Sequence, residues 1–232
     1  MRAGLRLIRR PAYACGGRIA RVICVPYGYP MPGWGIERCD YGFMTSDRER
    51  IVDKRNVALL YNSRGGNTKM VAEALRDALA QHGIEAEARE IAAAGLDGAR
   101  SAIKPADVVL LGFWCDKGTC SEEVSALLPE LSGKQVFLFG TAGFGGAPEY
   151  FERILAGVKA KLPEDAVYLG GAMCQGKMGP AIRKRYEAML AEKPGDQRVQ
   201  AMIDNFDAAA SHPDASDEQK IADAMLDALG IR

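Results

Sequence analysis

Two histidines and two tryptophans are all that the 232 residues hold of either type. No apolar run approaches the roughly 20 residues needed to cross a bilayer, so no membrane span is expected. His82 stands before Gly83 where a helix should end, and His212 precedes Pro213 in a linker; neither has the setting of a ligand or a base. The six cysteines (Cys15, Cys24, Cys39, Cys115, Cys120 and Cys174) lack zinc-finger spacing, so no metal site is expected. Their scatter suits a reducing cytoplasm better than a disulfide scaffold. There is no internal repeat, no low-complexity tract and no net charge.

The zero net charge conceals an asymmetry. Residues 1–43 carry seven arginines against Glu37 and Asp40, a net of +5, which leaves −5 on the rest. An acidic body argues against nucleic acid as a partner and for docking to basic proteins. Residues 1–43 are Arg-rich and broken by Gly and Pro. They contain no continuous apolar stretch ending in a cleavage site, as a signal peptide would. They read as an overextended reading frame or a poorly ordered extension, with a domain spanning 44–232.

The stretch that organises the domain is Val57–Ala72, VALLYNSRGGNTKMVA. Val57–Tyr61 is a short apolar run of the kind that forms a strand buried on both faces. From Met70 onward Val71, Ala74, Leu75, Ala78 and Leu79 recur at helical spacing. Between them lie Ser63, Arg64, Gly65, Gly66, Asn67 and Thr68, small or polar residues at the start of a helix. There the first backbone N–H groups have no intrahelical partner and an anion is favoured. The loop reads as a phosphate cradle, or as a plain helix cap after a Gly-Gly turn. It lacks the Lys-Ser/Thr ending of a nucleoside-triphosphate loop and the spacing of a dinucleotide fingerprint.

Further strands are expected at Ile84–Ile91 (an edge strand with one wet face), Asp107–Gly112, Gln135–Gly140 and Ala166–Gly171. A loop or weak helix covers Ala92–Ile103, and helices start near Ser121 and carry the Phe151, Ile154, Leu155 and Val158 stripe. Alternating strands and helices predict a doubly wound α/β fold, a five-stranded parallel sheet of order 2-1-3-4-5. Its ligand site would lie beyond the C-terminal ends of strands 1 and 3. Residues 176–212 read as a helical insertion before a last helix starting at Ser216, with Gln219 in capping-box position.

The loop SRGGNT at 63–68 resembles the Ser/Thr-x-Thr/Gly-Gly-Asn-Thr phosphate loop of the flavodoxin family, and the resemblance covers 56–232 in order. GFWCDKGTC (112–120), FLFGTAGFGG (137–146) and the downstream Tyr150-Phe151 are similar to the BilS-type subgroup, flavodoxin-like proteins associated with a bilirubin reductase. The resemblance implies FMN, its phosphate held by Ser63, Gly65, Gly66, Asn67 and Thr68. Arg64 departs from the usual uncharged loop and either strengthens phosphate binding or points to solvent. Trp114 either stacks on the isoalloxazine or is a rim aromatic; Phe144 is its counterpart on the other ring face or a loop anchor. The loop Thr141, Ala142, Gly143, Phe144, Gly145 and Gly146 would bring backbone N–H groups to the pyrimidine edge. Cys115, Asp116, Lys117 and Gly118 would border the flavin N5, the peptide before Gly118 being free to flip.

Cys115 and Cys120 admit two readings, a redox dithiol beside the flavin or two small residues, one buried and one before a helix. The lack of Cys-x-x-Cys spacing favours the second. No catalytic acid–base pair is apparent. The resemblance therefore implies an electron carrier between a flavodoxin/ferredoxin-type reductase and an acceptor enzyme, such as a tetrapyrrole (bilirubin) reductase. The alternative is an NAD(P)H-dependent FMN or quinone oxidoreductase, for which the insertion at 176–212 would form a substrate pocket or a dimer face. A third reading, a flavin-free interaction domain, fits poorly with the intact 63–68 loop.

Overall fold

The computed structural model describes residues 55–145 and 147–231. The N-terminal extension expected at 1–43, the start of the domain at Met44 and the site candidate Gly146 lie outside the described residues.

The strands are β1 (Val57–Tyr61), β2 (Ala88–Glu90), β3 (Val108–Asp116), the two-residue β4 (Thr119–Cys120), β5 (Gln135–Ala142) and β6 (Val167–Gln175), and the central ones, β1, β3 and β5, hold the apolar runs. The helices are α1 (Asn67–Gln81), α2 (Ile91–Ile103), α3 (Glu122–Ser125), α4 (Pro148–Lys159), α5 (Pro180–Glu192), α6 (Gln197–Ala209) and α7 (Ala215–Leu229). The sheet runs β2-β1-β3-β5-β6 with every neighbour parallel, while β4 pairs antiparallel with the end of β3. With β4 set aside, this is the expected order 2-1-3-4-5. The count of six is the correction: Phe113–Thr119 is not a free loop but a strand, a two-residue turn and a return strand.

Period-two alternation divides the core. Leu59, Tyr61, Leu110, Phe137 and Phe139 pack under α1 and α7 on one face. Ala58, Leu60, Val109, Leu111, Phe113 and Leu138 pack under α2, α3 and α4 on the other. Both β1 and β3 are thus covered on both faces, which is why they are continuously apolar.

Several boundaries move. The edge strand shrinks from Ile84–Ile91 to Ala88–Glu90. Ala92–Ile103 is helical, with Gly95 breaking the regular backbone inside it. β6 continues to Gln175, past the expected end at Gly171, so Cys174 is a buried strand residue. The last helix begins earlier than Ser216: Asp214 accepts from the Asp217 N–H at 2.9 Å and Asp217 Oδ2 accepts from the Asp214 N–H at 3.0 Å. This capping box displaces the expected role of Gln219, since the carboxylate pair sits at the required three-residue spacing. The insertion forms α5 and α6, which pack on each other, whereas α7 returns to β6 and α1. No residue of α5 is fully buried.

Candidate functional site

The C-terminal ends of β1, β3 and β5 converge on one cleft of about 1040 Å³. It is large, at the upper end of small-molecule sites. Of the residues singled out from sequence, Arg64, Gly65, Asn67, Trp114, Cys115, Asp116, Lys117, Gly118, Thr141, Ala142, Gly143 and Phe144 line it. Ser63, Gly66, Thr68 and Gly145 are not among its lining. The Thr68 hydroxyl is buried, 3.0 Å from that of Thr141, and joins the start of α1 to the end of β5. Ser63 Oγ accepts from the Lys69 N–H at 3.3 Å, folding the loop back on the helix.

Gly66, with φ 86°, is the residue before α1 and caps it with no side chain. A left-handed backbone there costs glycine little. The first turn of α1 carries no acidic residue, so apart from the Lys69 N–H, which Ser63 takes, no side chain competes with an anion for the positive end of the helix. Asn67 spans the cleft: its Nδ2 donates to the Lys177 carbonyl at 2.9 Å, while its Oδ1 is buried and accepts no hydrogen bond. That oxygen is an acceptor awaiting a donor, such as a hydroxyl of a bound molecule. Arg64, Lys117, Lys177 and Arg185 line the cleft against the single carboxylate of Asp116. A net cationic pocket in an otherwise acidic domain suits an anionic ligand. A helix terminus free of acidic side chains, a net cationic lining and an unpaired acceptor together fit a phosphate ester bearing hydroxyl groups.

Trp114 alternates with the fully buried Phe113 along β3, so its ring leaves the core and enters the cleft. Arg64 lies over it, its Cζ 5.3 Å from the ring centroid. The loop arginine therefore neither simply points to solvent nor caps the helix end; it makes a cation–π contact with the aromatic face. Phe144 is 45 % exposed at the rim.

Lys117 (φ 49°) and Gly118 (φ 86°) form the two-residue turn between β3 and β4, and two successive positive φ angles are the signature of a type I′ hairpin. The turn sits at the cleft edge beside Asp116. Cys115 is half-buried and lines the cleft; burial pushes its thiol up, with the neighbouring Gly118 N–H and Tyr150 hydroxyl pulling the other way. Burial also pushes Cys120 up, with Lys161 pulling the other way.

Several lining residues belonged to no site motif: Lys177 and Met178 after β6, Ile182, Arg185 and Tyr186 from α5, and Met202 from α6; Tyr150 from α4, of the Tyr150-Phe151 pair, joins them. Asn205 of α6 organises one wall. Its Nδ2 donates to the Gly143 carbonyl at 3.0 Å, and its Oδ1 accepts from the Gly145 N–H and from Gln175 Nε2, each at 3.1 Å. Only the amphipathic spacing of α6 hinted that this segment would pack inward. His212 also proves structural, its Nδ1 2.5 Å from Asp217 Oδ2 in the capping box and its carbonyl accepting from the Lys177 N–H at 2.7 Å.

Sheet order, crossover loops and a helix end at the switch point define a doubly wound α/β protein with its cleft where such folds bind ligands. The chain belongs to the flavodoxin family, whose model, described as a flavodoxin domain, matches residues 58–225. Among curated proteins it is similar to the flavodoxin-like domain-containing protein BilS of Clostridium symbiosum (strain WAL-14163), 38% identical over 169 residues, covering 69% of this chain and 88% of that one. BilS of Clostridioides difficile (strain CD3) is 31% identical over 168 residues, covering 72% and 91%. Among solved structures, two-electron reduced Megasphaera elsdenii flavodoxin aligns at TM-score 0.38 and 23% identity, over 67% of this chain and 98% of that one. Family membership makes this chain a flavodoxin-type flavoprotein. Among the described residues no helix is long and apolar enough to cross a membrane.

Proposed function

We propose that the protein binds FMN in this cleft and carries electrons between a reductase and an acceptor enzyme. The observation that carries the reading is the start of α1, free of acidic side chains and set beside a net cationic cleft at the switch point of the sheet. The flavin, when bound, supplies the one- and two-electron chemistry. The N–H groups at the start of α1 and of the Ser63–Thr68 loop would hold the phosphate, with Arg64 adding charge above them. Asn67 Oδ1 would accept from a ligand hydroxyl. Trp114 and Phe144 would border the ring, the backbone of 141–145 would meet its polar edge, and the Lys117-Gly118 turn would meet its redox edge. The acidic domain surface favours basic redox partners. The BilS-type resemblance suggests that the acceptor is a tetrapyrrole (bilirubin) reductase.

A second reading rests on one observation: α5 and α6 line the same cleft through Ile182, Arg185, Tyr186 and Met202. Such a wall would suit an NAD(P)H-dependent FMN or quinone oxidoreductase. The test is an absorbance spectrum of purified protein with FMN, desalted and then reduced stepwise, with and without a separate reductase. Retained flavin that reduces in two one-electron steps, only when the reductase is present, supports the carrier. Saturable NADPH oxidation by the protein alone supports the oxidoreductase. Loss of all flavin on desalting refutes both.

A further inference from the structure

The register of the β3–β4 hairpin pairs Cys115 directly with Cys120, and Asp116 with Thr119. Directly opposed residues of an antiparallel pair project from the same face, with Cα atoms about 4.5–5.5 Å apart in either type of pair. A disulfide spans roughly 4.4–6.8 Å. The four-residue gap that makes these cysteines look unrelated in sequence is what a two-residue turn requires to bring them face to face. Both also belong to one side of the sheet: Cys120 is in the α2/α3/α4 core and Cys115 packs against it. Cys174 is in the opposite core, under α1 and α7, with the sheet between.

We propose that Cys115 and Cys120 form a reversible disulfide across the β3–β4 hairpin, with Cys115 the entry point and Cys120 the resolving thiol. The two differ in access in the way this order needs. Cys115 lines the cleft, whereas Cys120 is only 4 % exposed. Burial holds the Cys115 thiol above its ordinary value, with the neighbouring Gly118 N–H and Tyr150 hydroxyl pulling the other way. Reaction is therefore slow at neutral pH and accelerates as pH rises.

With glutathione disulfide as the oxidant the step balances. The Cys115 thiolate attacks one glutathione sulfur, the reagent's S–S bond breaks and one glutathione thiolate departs. Cys120 then gives its proton to solvent and its sulfur attacks Sγ of Cys115. The Cys115–glutathione bond breaks and the second glutathione leaves. The two cysteines lose two electrons, and glutathione disulfide gains them. The closed ring pins Asp116–Thr119, the hairpin at the cleft edge, so the oxidation state of the pair sets how freely the Lys117-Gly118 turn can change conformation. The proposal rests on the hairpin register and stands whether or not the cleft holds flavin.

The test uses the full chain treated with excess glutathione disulfide across a pH series, with remaining thiols alkylated and peptides mapped by mass spectrometry. Expected is a Cys115–Cys120 linked peptide lighter by two hydrogens, with an initial rate that rises with pH. Cys120→Ser should instead trap one glutathione on Cys115, and Cys115→Ser should leave Cys120 unmodified. If Cys115→Ser folds poorly, Cys115→Ala serves the same arm, and dithiothreitol should restore the wild-type mass. A stable glutathione adduct on wild-type Cys115, a bond from either residue to another cysteine, or two unreacted thiols at high pH would each overturn it.

Discussion

Asn205→Ala removes a side chain that belongs to no motif itself and yet fastens the Gly143–Gly145 loop to the insertion. Three hydrogen bonds disappear: to the Gly143 carbonyl, from the Gly145 N–H and from Gln175 Nε2. A net hydrogen bond contributes about 0.5–1.5 kcal/mol, and these are only part-buried, so water recovers some of the loss. The sum is then about 1.5–3 kcal/mol, shared between fold stability and loop order. If the two bonds to the loop backbone, about 1–2 kcal/mol, must be replaced on ligand binding, FMN affinity falls about 5- to 30-fold. Asn205→Asp separates the parts. It keeps an acceptor for Gly145 and Gln175 but loses the donor to Gly143, and should fall between wild type and Asn205→Ala. The assay is FMN titration by fluorescence quenching, alongside urea unfolding of the flavin-free protein. An Asn205→Ala protein with FMN affinity within about twofold of wild type and an unmoved urea midpoint would refute the account of α6 as the loop's anchor.

Three other outcomes follow from the same geometry. Gly66→Ala meets no atom within 4 Å but forces alanine to φ 86°, so urea unfolding should show a loss of about 1 kcal/mol and titration a weaker FMN complex. Arg64→Gln should weaken FMN binding at low salt and shift Trp114 emission, with the affinity difference shrinking at high salt; a salt-independent deficit would argue against a charge role. Burial pushes the Cys174 thiol up to about 12, with nearby Asp217, Glu218 and Asp214 adding to it. The folded state therefore holds its proton more tightly than the unfolded chain. This stabilisation is intact below the ordinary thiol value and is lost as pH climbs from about 9 toward 12, by about 1.4 kcal/mol for each pH unit. Urea midpoints of wild type and Cys174→Ala across pH 8–11 should converge as pH rises if this holds, and run parallel if it does not.

Much of the architecture was legible because its causes are local. Val57–Tyr61, Val108–Gly112 and Val136–Gly140 are apolar without interruption, which in a βα alternation leaves only a covered parallel sheet. A glycine-rich loop between such a strand and an amphipathic helix places an anion-ready terminus at the switch point, and this needs no knowledge of the rest of the chain. His82 was likewise readable as a helix end, and its ring nitrogen does lie 2.9 Å from the Ala78 carbonyl. Boundaries were less so. Phe113–Asp116 could have been loop or strand, and pairing with β5 up to Trp114–Thr141 decided it.

What tertiary structure alone decided is which distant segments share the cleft. Asn205 meets Gly143, Asn67 meets Lys177, and the Thr68 hydroxyl turns inward to Thr141 rather than out to a ligand. Each contact joins residues more than sixty positions apart, and no periodicity encodes the partner of an amide or a hydroxyl. Arg64 could equally have reached solvent, and Trp114 is what holds it. The pairing of Cys115 with Cys120 lies between these cases. Its spacing was visible in the sequence, but only the positive φ angles of Lys117 and Gly118, which turn the chain back on itself, give that spacing a meaning.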